Sequence, residues 1–208
     1  MEEIWMNACR KLEISDDIAR TWYEKIRRKM VQGSGRYYHN WEELLLRKQE
    51  YLGEIGSSSS TIVFAVFFQY FEFDGKRNCV EKNCEAFEEF CSDAGLKDEH
   101  VIKLVKKLLG DETIDALPGY EDEINLLQDL DLVVLGSSPE EYKRYRELLR
   151  KEYSHLDDSS YTKMRLKVLQ TFLMIPTIFS TNEFQTKFEE TARKNVDTEI
   201  KDLKNSSN

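Results

Sequence analysis

Between Leu126 and Gly136 the chain reads Leu-Leu-Gln-Asp-Leu-Asp-Leu-Val-Val-Leu-Gly, two carboxylates set in an otherwise apolar stretch that Gly136 and then Pro139 close. On a helix Asp129 and Asp131 point to different faces, so one of them looks inward among leucines and valines. A carboxylate buried there is costly unless a metal, a cation or several hydrogen-bond donors meet it. The plain alternative is that Asp131 caps or hydrogen-bonds locally, as aspartate does near helix ends.

The rest of the chain sets this stretch among helices. Three prolines and nine glycines in 208 residues leave few breakers, which favours long helices. Apolar residues recurring at three or four predict a helix over 2–12, carrying Ile4, Trp5, Ala8 and Leu12. Ser15 caps a second one, with Ile18, Ala19, Trp22, Tyr23, Ile26 and Met30 inward, which stops at Gly33-Ser-Gly35. Arg36 to Trp41 is a loop opening a helix to about Leu52, and Gly56 with the four following serines is a turn containing a cap. The segment 61–73 is apolar nearly all round and belongs at the centre of the fold. Its β-branched and aromatic residues make a strand the competing reading, and its length and helical setting favour the helix.

Asp74 to Asn78 is a turn, followed by helices over 79–95, ending at Gly95, and 98–109. A loop over 110–120, including Leu117-Pro-Gly119, leads into the acidic helix. Ser138-Pro-Glu-Glu starts a helix through Tyr153. Asp157-Asp-Ser-Ser introduces 161–174, Pro176 breaks it, and 182–203 forms the last helix. There is no internal repeat. The expectation is an all-α, compact, multi-helix bundle, a single domain over 1–204 with a short polar tail at 205–208.

A formal charge of −9 argues against a protein built to hold a nucleic-acid backbone, which needs a concentrated basic face. The basic clusters at 27–29 and 103–107 lie beside acids and read as solvated faces. The four cysteines (Cys9, Cys79, Cys84 and Cys91) form no CxxC pair, and the chain starts with neither a basic nor a long apolar segment. A reducing, intracellular and by default cytoplasmic setting is expected, with buried thiols rather than zinc ligands. The longest apolar run, Thr61 to Phe68, is far short of a bilayer span, so no membrane segment is expected.

Read in order, Arg36-Tyr-Tyr-His-Asn, Ala65-Val-Phe-Phe-Gln-Tyr, Asp74, Glu81, Leu127-Gln-Asp-Leu-Asp-Leu-Val-Val-Leu-Gly136, Tyr142…Tyr145…Arg150-Lys-Glu-Tyr153, Arg165…Val168-Leu…Phe172-Leu and Phe188-Glu…Ala192-Arg-Lys-Asn195…Glu199 carry a likeness. From about Trp22 to Leu203 the chain resembles the bacterial predicted metal-dependent phosphohydrolases of the HD superfamily. The resemblance implies a helical HD-type bundle. It also implies a metal site written as a His on the Arg-x-Tyr-His segment, a His-Asp pair after an apolar helix, and an Asp in the later Leu-Asp-x-Asp-Leu run. His39 and Asp131 match the first and last of these. The His-Asp pair falls on Gln69 and Tyr70, a further family His falls on Glu43, and Gly110 to Asp115 replaces a stretch that carries histidine in the family. His100 and His155 lie off the motif and read as surface or helix-end residues.

A divalent ion acting on phosphate needs several anionic or imidazole donors at close range. Gln69 offers a neutral oxygen, and Tyr70 a phenol that stays protonated near neutral pH. The resulting expectation is a degenerate HD-domain protein, catalytically inactive and without a cofactor, that binds a protein partner or a small phosphorylated ligand as a monomer or weak dimer. Asp131 would then pair with His39 or Arg36, with Gln69 and Tyr70 filling the former metal cavity. The alternative is a metal-dependent phosphohydrolase of nucleotide-like esters holding its divalent ion through Glu43, Glu72 and Asp74. A third reading keeps a nucleotide pocket without chemistry, with Arg36, Tyr37, Tyr38 and Trp41 for phosphate pairing and base stacking, and Arg36, Tyr38, Glu43, Glu72 and Asp129 as the candidate pocket residues. Tyr142, Tyr145 and Tyr153 recur at helical spacing with Arg146, Leu149 and Arg150, and pack the C-terminal helices together.

Overall fold

The computed structural model describes residues 1–31, 35–45, 48–49, 51–52, 59–115 and 118–205. Among them the chain is all-helical, with no strand. Nine α-helices are described: α1 (Glu2–Lys11), α2 (Asp16–Lys29), α3 (Ser60–Phe68), α4 (Val80–Ala94), α5 (Glu99–Leu108), α6 (Glu121–Leu132), α7 (Pro139–Glu152), α8 (Asp158–Met174) and α9 (Asn182–Asn205). There is also a π-helix at Trp41–Leu45 and a 3₁₀ turn at Val133–Gly136. Parts of four expected features lie outside the described residues: the Gly33-Ser-Gly35 stop, the helix to Leu52, the serine turn and the polar tail. Leu117 does too. None of the described helices is long and apolar enough to cross a membrane.

The helix ends follow local chemistry. Ser15 accepts from the Ile18 amide, Asp98 from those of His100 and Val101, and Asp157 from that of Ser160. Ser138 and Glu141 form a reciprocal capping box with Pro139 in the first turn. Each satisfies amides that a helix start leaves without an internal partner. Gly95 ends α4 in the left-handed region at φ 63°, where a side chain would be strained.

The contacts divide the chain into two compact units, Met1–Glu123 and Ile124–Asn208. In the first, all seven residues from Ile62 to Phe68 are buried, as expected for a segment apolar all round. Helices α1, α4 and α5 pack on α3. The rings of Trp5 and Trp22 lie against Phe68 and Phe90. Large side chains buried this way each contribute about 1.5–3 kcal/mol. Helix α3 ends at Phe68, short of the expected residue 73, because side chains distant in sequence take over its last polar groups. Arg36 donates to the carbonyls of Tyr70 and Phe71. Asn83 donates to the carbonyl of Gln69 and accepts from the amide of Glu72.

In the second unit the 3₁₀ turn packs on α9, α9 runs along α8, and α7 meets the turn. Gly136 allows the close approach: a Cβ there would sit 2.6 Å from the Cβ of Phe188. The Asn195 amide then donates to the carbonyls of Leu135 and Ser137, at 2.8 and 2.9 Å. The connector between α8 and α9 is held by side chains almost throughout. Arg193 donates to the carbonyls of Ile175 and Pro176, and Glu189 accepts from the amides of Ile178 and Phe179.

Candidate functional site

Of the positions singled out from the sequence, Arg36, Tyr38, His39, Glu43, Gln69, Tyr70, Glu72 and Asp74 belong to the first unit, and Asp129 and Asp131 to the second. Arg36 is only 3% exposed. Its guanidinium donates to the main-chain carbonyls of His39, Tyr70 and Phe71 at 3.1, 2.6 and 2.7 Å. It also lies over the ring of Phe73. It therefore stitches the 36–40 loop to the end of α3. Asn40 fixes the same loop, donating to Tyr37 and accepting from the amides of Glu42 and Glu43 at the start of the π-helix.

The His39 imidazole stacks on Phe73 with centroids 4.5 Å apart and planes at 22°, and lies 4.5 Å from the Tyr70 ring and 5.1 Å from that of buried Tyr38. Glu72 is ion-paired with Lys29 at 2.6 Å. Asp74 heads a turn, accepting from the amide of Lys76. Among the described residues no group of three or more His, Cys, Asp or Glu could hold a metal ion. The donors at these positions, an aromatic-stacked imidazole, an amide and a phenol, do not fit the hard, oxygen- and imidazole-rich sphere that a divalent ion on phosphate requires.

In the acidic helix it is Asp129, not Asp131, that faces inward. Fully buried, its carboxylate accepts from the amides of Ser180 and Thr181 and the hydroxyl of Thr181, at 2.7, 2.8 and 2.7 Å. These donors precede α9, so the carboxylate also faces the positive end of that helix. Asp131 is half-buried. Burial pushes the Tyr145 phenol up, Arg165 pulls it back, and the charges of Glu199 and Asp131 add smaller upward pushes.

The densest polar arrangement is one that site-by-site reading of the sequence missed. Glu199 on α9 and Arg165 on α8 form a buried bidentate pair, Nε to Oε1 at 2.9 Å and Nη2 to Oε2 at 3.0 Å. The hydroxyl of Tyr142 on α7 donates to the same carboxylate. Burial, and then the Glu199 charge, push the Tyr142 phenol well above its usual range. Tyr142, Arg165 and Glu199 are all residues on which the resemblance was drawn; only Tyr142 was given a role there, packing.

Above this pair lies a groove of about 450 Å³ between α7, α8 and α9. Lys143, Arg146 and Arg150 line its α7 wall, opposite Asp158, Tyr161 and Asp202. Arg146 donates to Asp202 at 2.8 Å, while its Nε stands 3.7 Å from Glu199, beyond hydrogen-bond range. Arg150 donates to the carbonyls of Tyr153 and Leu156, lies over the Tyr161 ring and reaches Asp158 at 2.7 Å. Three cations at i, i+3 and i+7 were legible as one helix stripe. The pairing of Arg146 with Asp202 was not, since that partner is 56 residues away.

The first unit carries a second groove, of about 620 Å³, whose wall is acidic through Glu81, Glu85, Glu88, Asp111 and Glu112. Lys106 there is paired with Glu88 and Asp111. No protein-family model, curated protein or solved structure matches the chain.

Proposed function

We propose that the chain is a catalytically inactive helical module of HD type that works by binding. The observation that carries this reading is the commitment of Arg36 and His39. The guanidinium is used on three main-chain carbonyls and the half-buried imidazole stacks on Phe73 beside Tyr70 and Tyr38, which favours a segment that serves the end of α3 rather than an ion or a phosphate. With Gln69 and Tyr70 at the pair positions, the remaining donors are too few and too weak for hydrolysis through a metal. The rebuilt site that an active enzyme would need draws on Glu43, Glu72 and Asp74, and of these Glu72 is engaged with Lys29 and Asp74 with a turn.

The test is turnover. The purified chain, supplied in turn with Mg, Mn, Co and Ni, is offered p-nitrophenyl phosphate and nucleoside monophosphates, and its metal content is measured after dialysis. The expected result is hydrolysis at the blank rate, the same for the chain and for Asp131→Ala. A stoichiometric ion with turnover abolished by Asp131→Ala would overturn the reading.

A further inference from the structure

We propose that the groove between α7, α8 and α9 binds a small dicarboxylate, whose two carboxylates take the places now held on Arg150 and Arg146 by Asp158 and Asp202. The inference rests on the reading of the chain as a binding module and names the ligand class of that module.

The first support is preorganisation. Arg150 is fixed by two main-chain carbonyls and the face of Tyr161, none of which a ligand needs to disturb. Its remaining bond goes to Asp158, whose side chain is 95% exposed. A guanidinium locked by the fold and satisfied by a solvated carboxylate is a formed anion site with a replaceable occupant. Arg146 is held by side chains alone: it pairs with Asp202, a side chain 53% exposed, and stands 3.7 Å from Glu199. Such exposed pairs are each worth only about 0.2–1 kcal/mol.

The second is the buried pair below. Glu199 already has both guanidinium bonds of Arg165 and the hydroxyl of Tyr142. It therefore does not need Arg146, and leaves that cation to the groove.

The third is charge and spacing. Once Asp158 and Asp202 turn to solvent, the groove keeps Lys143, Arg146 and Arg150 against Glu147 and Glu199, and Arg165 beneath offsets Glu199, which leaves an excess that complements a dianion. Lys143 forms no ion pair among the described residues. Arg146 and Arg150 are one helical turn apart on the same face of α7. The volume, about 450 Å³, falls within the range of roughly 300–1,000 Å³ found for small-molecule sites.

Succinate, glutarate, acetate and inorganic phosphate are titrated at constant ionic strength into the full ¹⁵N-labelled chain, and amide shifts are followed. Succinate or glutarate is expected to saturate at millimolar concentration with shifts centred on residues 146, 150, 158 and 161, and acetate to bind at least about tenfold more weakly. Asp158→Asn with Asp202→Asn, which removes the competing carboxylates, is expected to tighten binding about tenfold, and Arg146→Gln to weaken it by a similar factor. Neither change touches the main-chain bonds of Arg150 that hold the end of α7, so folded variants are available. Absence of saturable shifts, equal binding of acetate, tighter binding of phosphate, or weaker binding by the double asparagine variant would each overturn the proposal. Turnover assays answer separately: hydrolysis through Asp131 would remove the non-catalytic reading and leave these titrations standing, and failed titrations would leave that reading untouched.

Discussion

The buried Arg165–Glu199 pair makes a sharp prediction about stability. The two side chains are 6% and 2% exposed and joined by two hydrogen bonds, with Tyr142 as a third donor. Glu199→Gln keeps the shape and one acceptor oxygen, but turns an amide N–H₂ toward guanidinium N–H groups and leaves the Arg165 charge without its counter-ion. Breaking one side of a buried pair costs about 3–5 kcal/mol, and the surviving carbonyl places this variant near the lower figure. With a urea dependence of about 1–3 kcal/mol per molar, the midpoint falls by about 1–3 M.

All three tryptophans, Trp5, Trp22 and Trp41, lie in the first unit. Far-ultraviolet circular dichroism therefore reports both units and tryptophan fluorescence the first, and the two probes together tell whether the loss is confined to the second. The reasoning also predicts a rescue. Tyr142→Phe with Arg165→Met and Glu199→Leu removes the ion pair and the Tyr142 hydroxyl together, leaves neither charge of the pair stranded, and is expected to regain most of the lost stability. A midpoint that Glu199→Gln barely moves, or a triple variant less stable than the single one, would refute the account of this network.

Three further outcomes follow from the geometry. Asp129→Ala strands the donors of Ser180 and Thr181 at the start of α9 and should cost about 3 kcal/mol in urea unfolding, with Asp129→Asn intermediate; a neutral alanine variant would deny the carboxylate this structural role. Gly136→Ala places a methyl 2.6 Å from the Phe188 Cβ and should cost about 1–3 kcal/mol, read as a lowered melting temperature. Burial holds the Cys9 and Cys91 thiols up to about 12 and that of Cys84 up to about 11, against 9.0 for a free thiol. Between pH 9 and 11 the folded chain thus keeps protons that the unfolded chain releases, so stability falls as pH rises, by up to about 1.4 kcal/mol per thiol per pH unit; a urea midpoint constant from pH 8 to pH 10.5 would contradict this.

What could be read from the sequence divides by how local its cause is. Ser15, Gly95, Asp157 and the Ser138–Glu141 box mark helix ends through bonds spanning at most four residues, and these ends were legible. The end of α3 was not, because Arg36 and Asn83, at 11 to 35 residues' remove, compete for its polar groups. The acidic helix shows the same limit. That one of two aspartates faces inward follows from helical geometry alone, but which one depends on the amides before α9, more than 50 residues away.

The residues behind the family likeness in the second unit sharpen the point. Asp129 holds the start of α9, Gly136 admits Phe188, Asn195 caps the 3₁₀ turn, and Tyr142, Arg165 and Glu199 bond to one another. Each has a structural use that is complete without substrate or ion. A motif made of such residues bears on how a helical unit is assembled and is silent on turnover. Lys143, Arg146 and Arg150 differ in kind: two of them are fixed cations whose partners on the groove side are exposed carboxylates, and the third has none among the described residues. Structural need does not account for all the charge on that face of α7, and so binding is better sought there than at His39, Gln69, Tyr70 and Asp131.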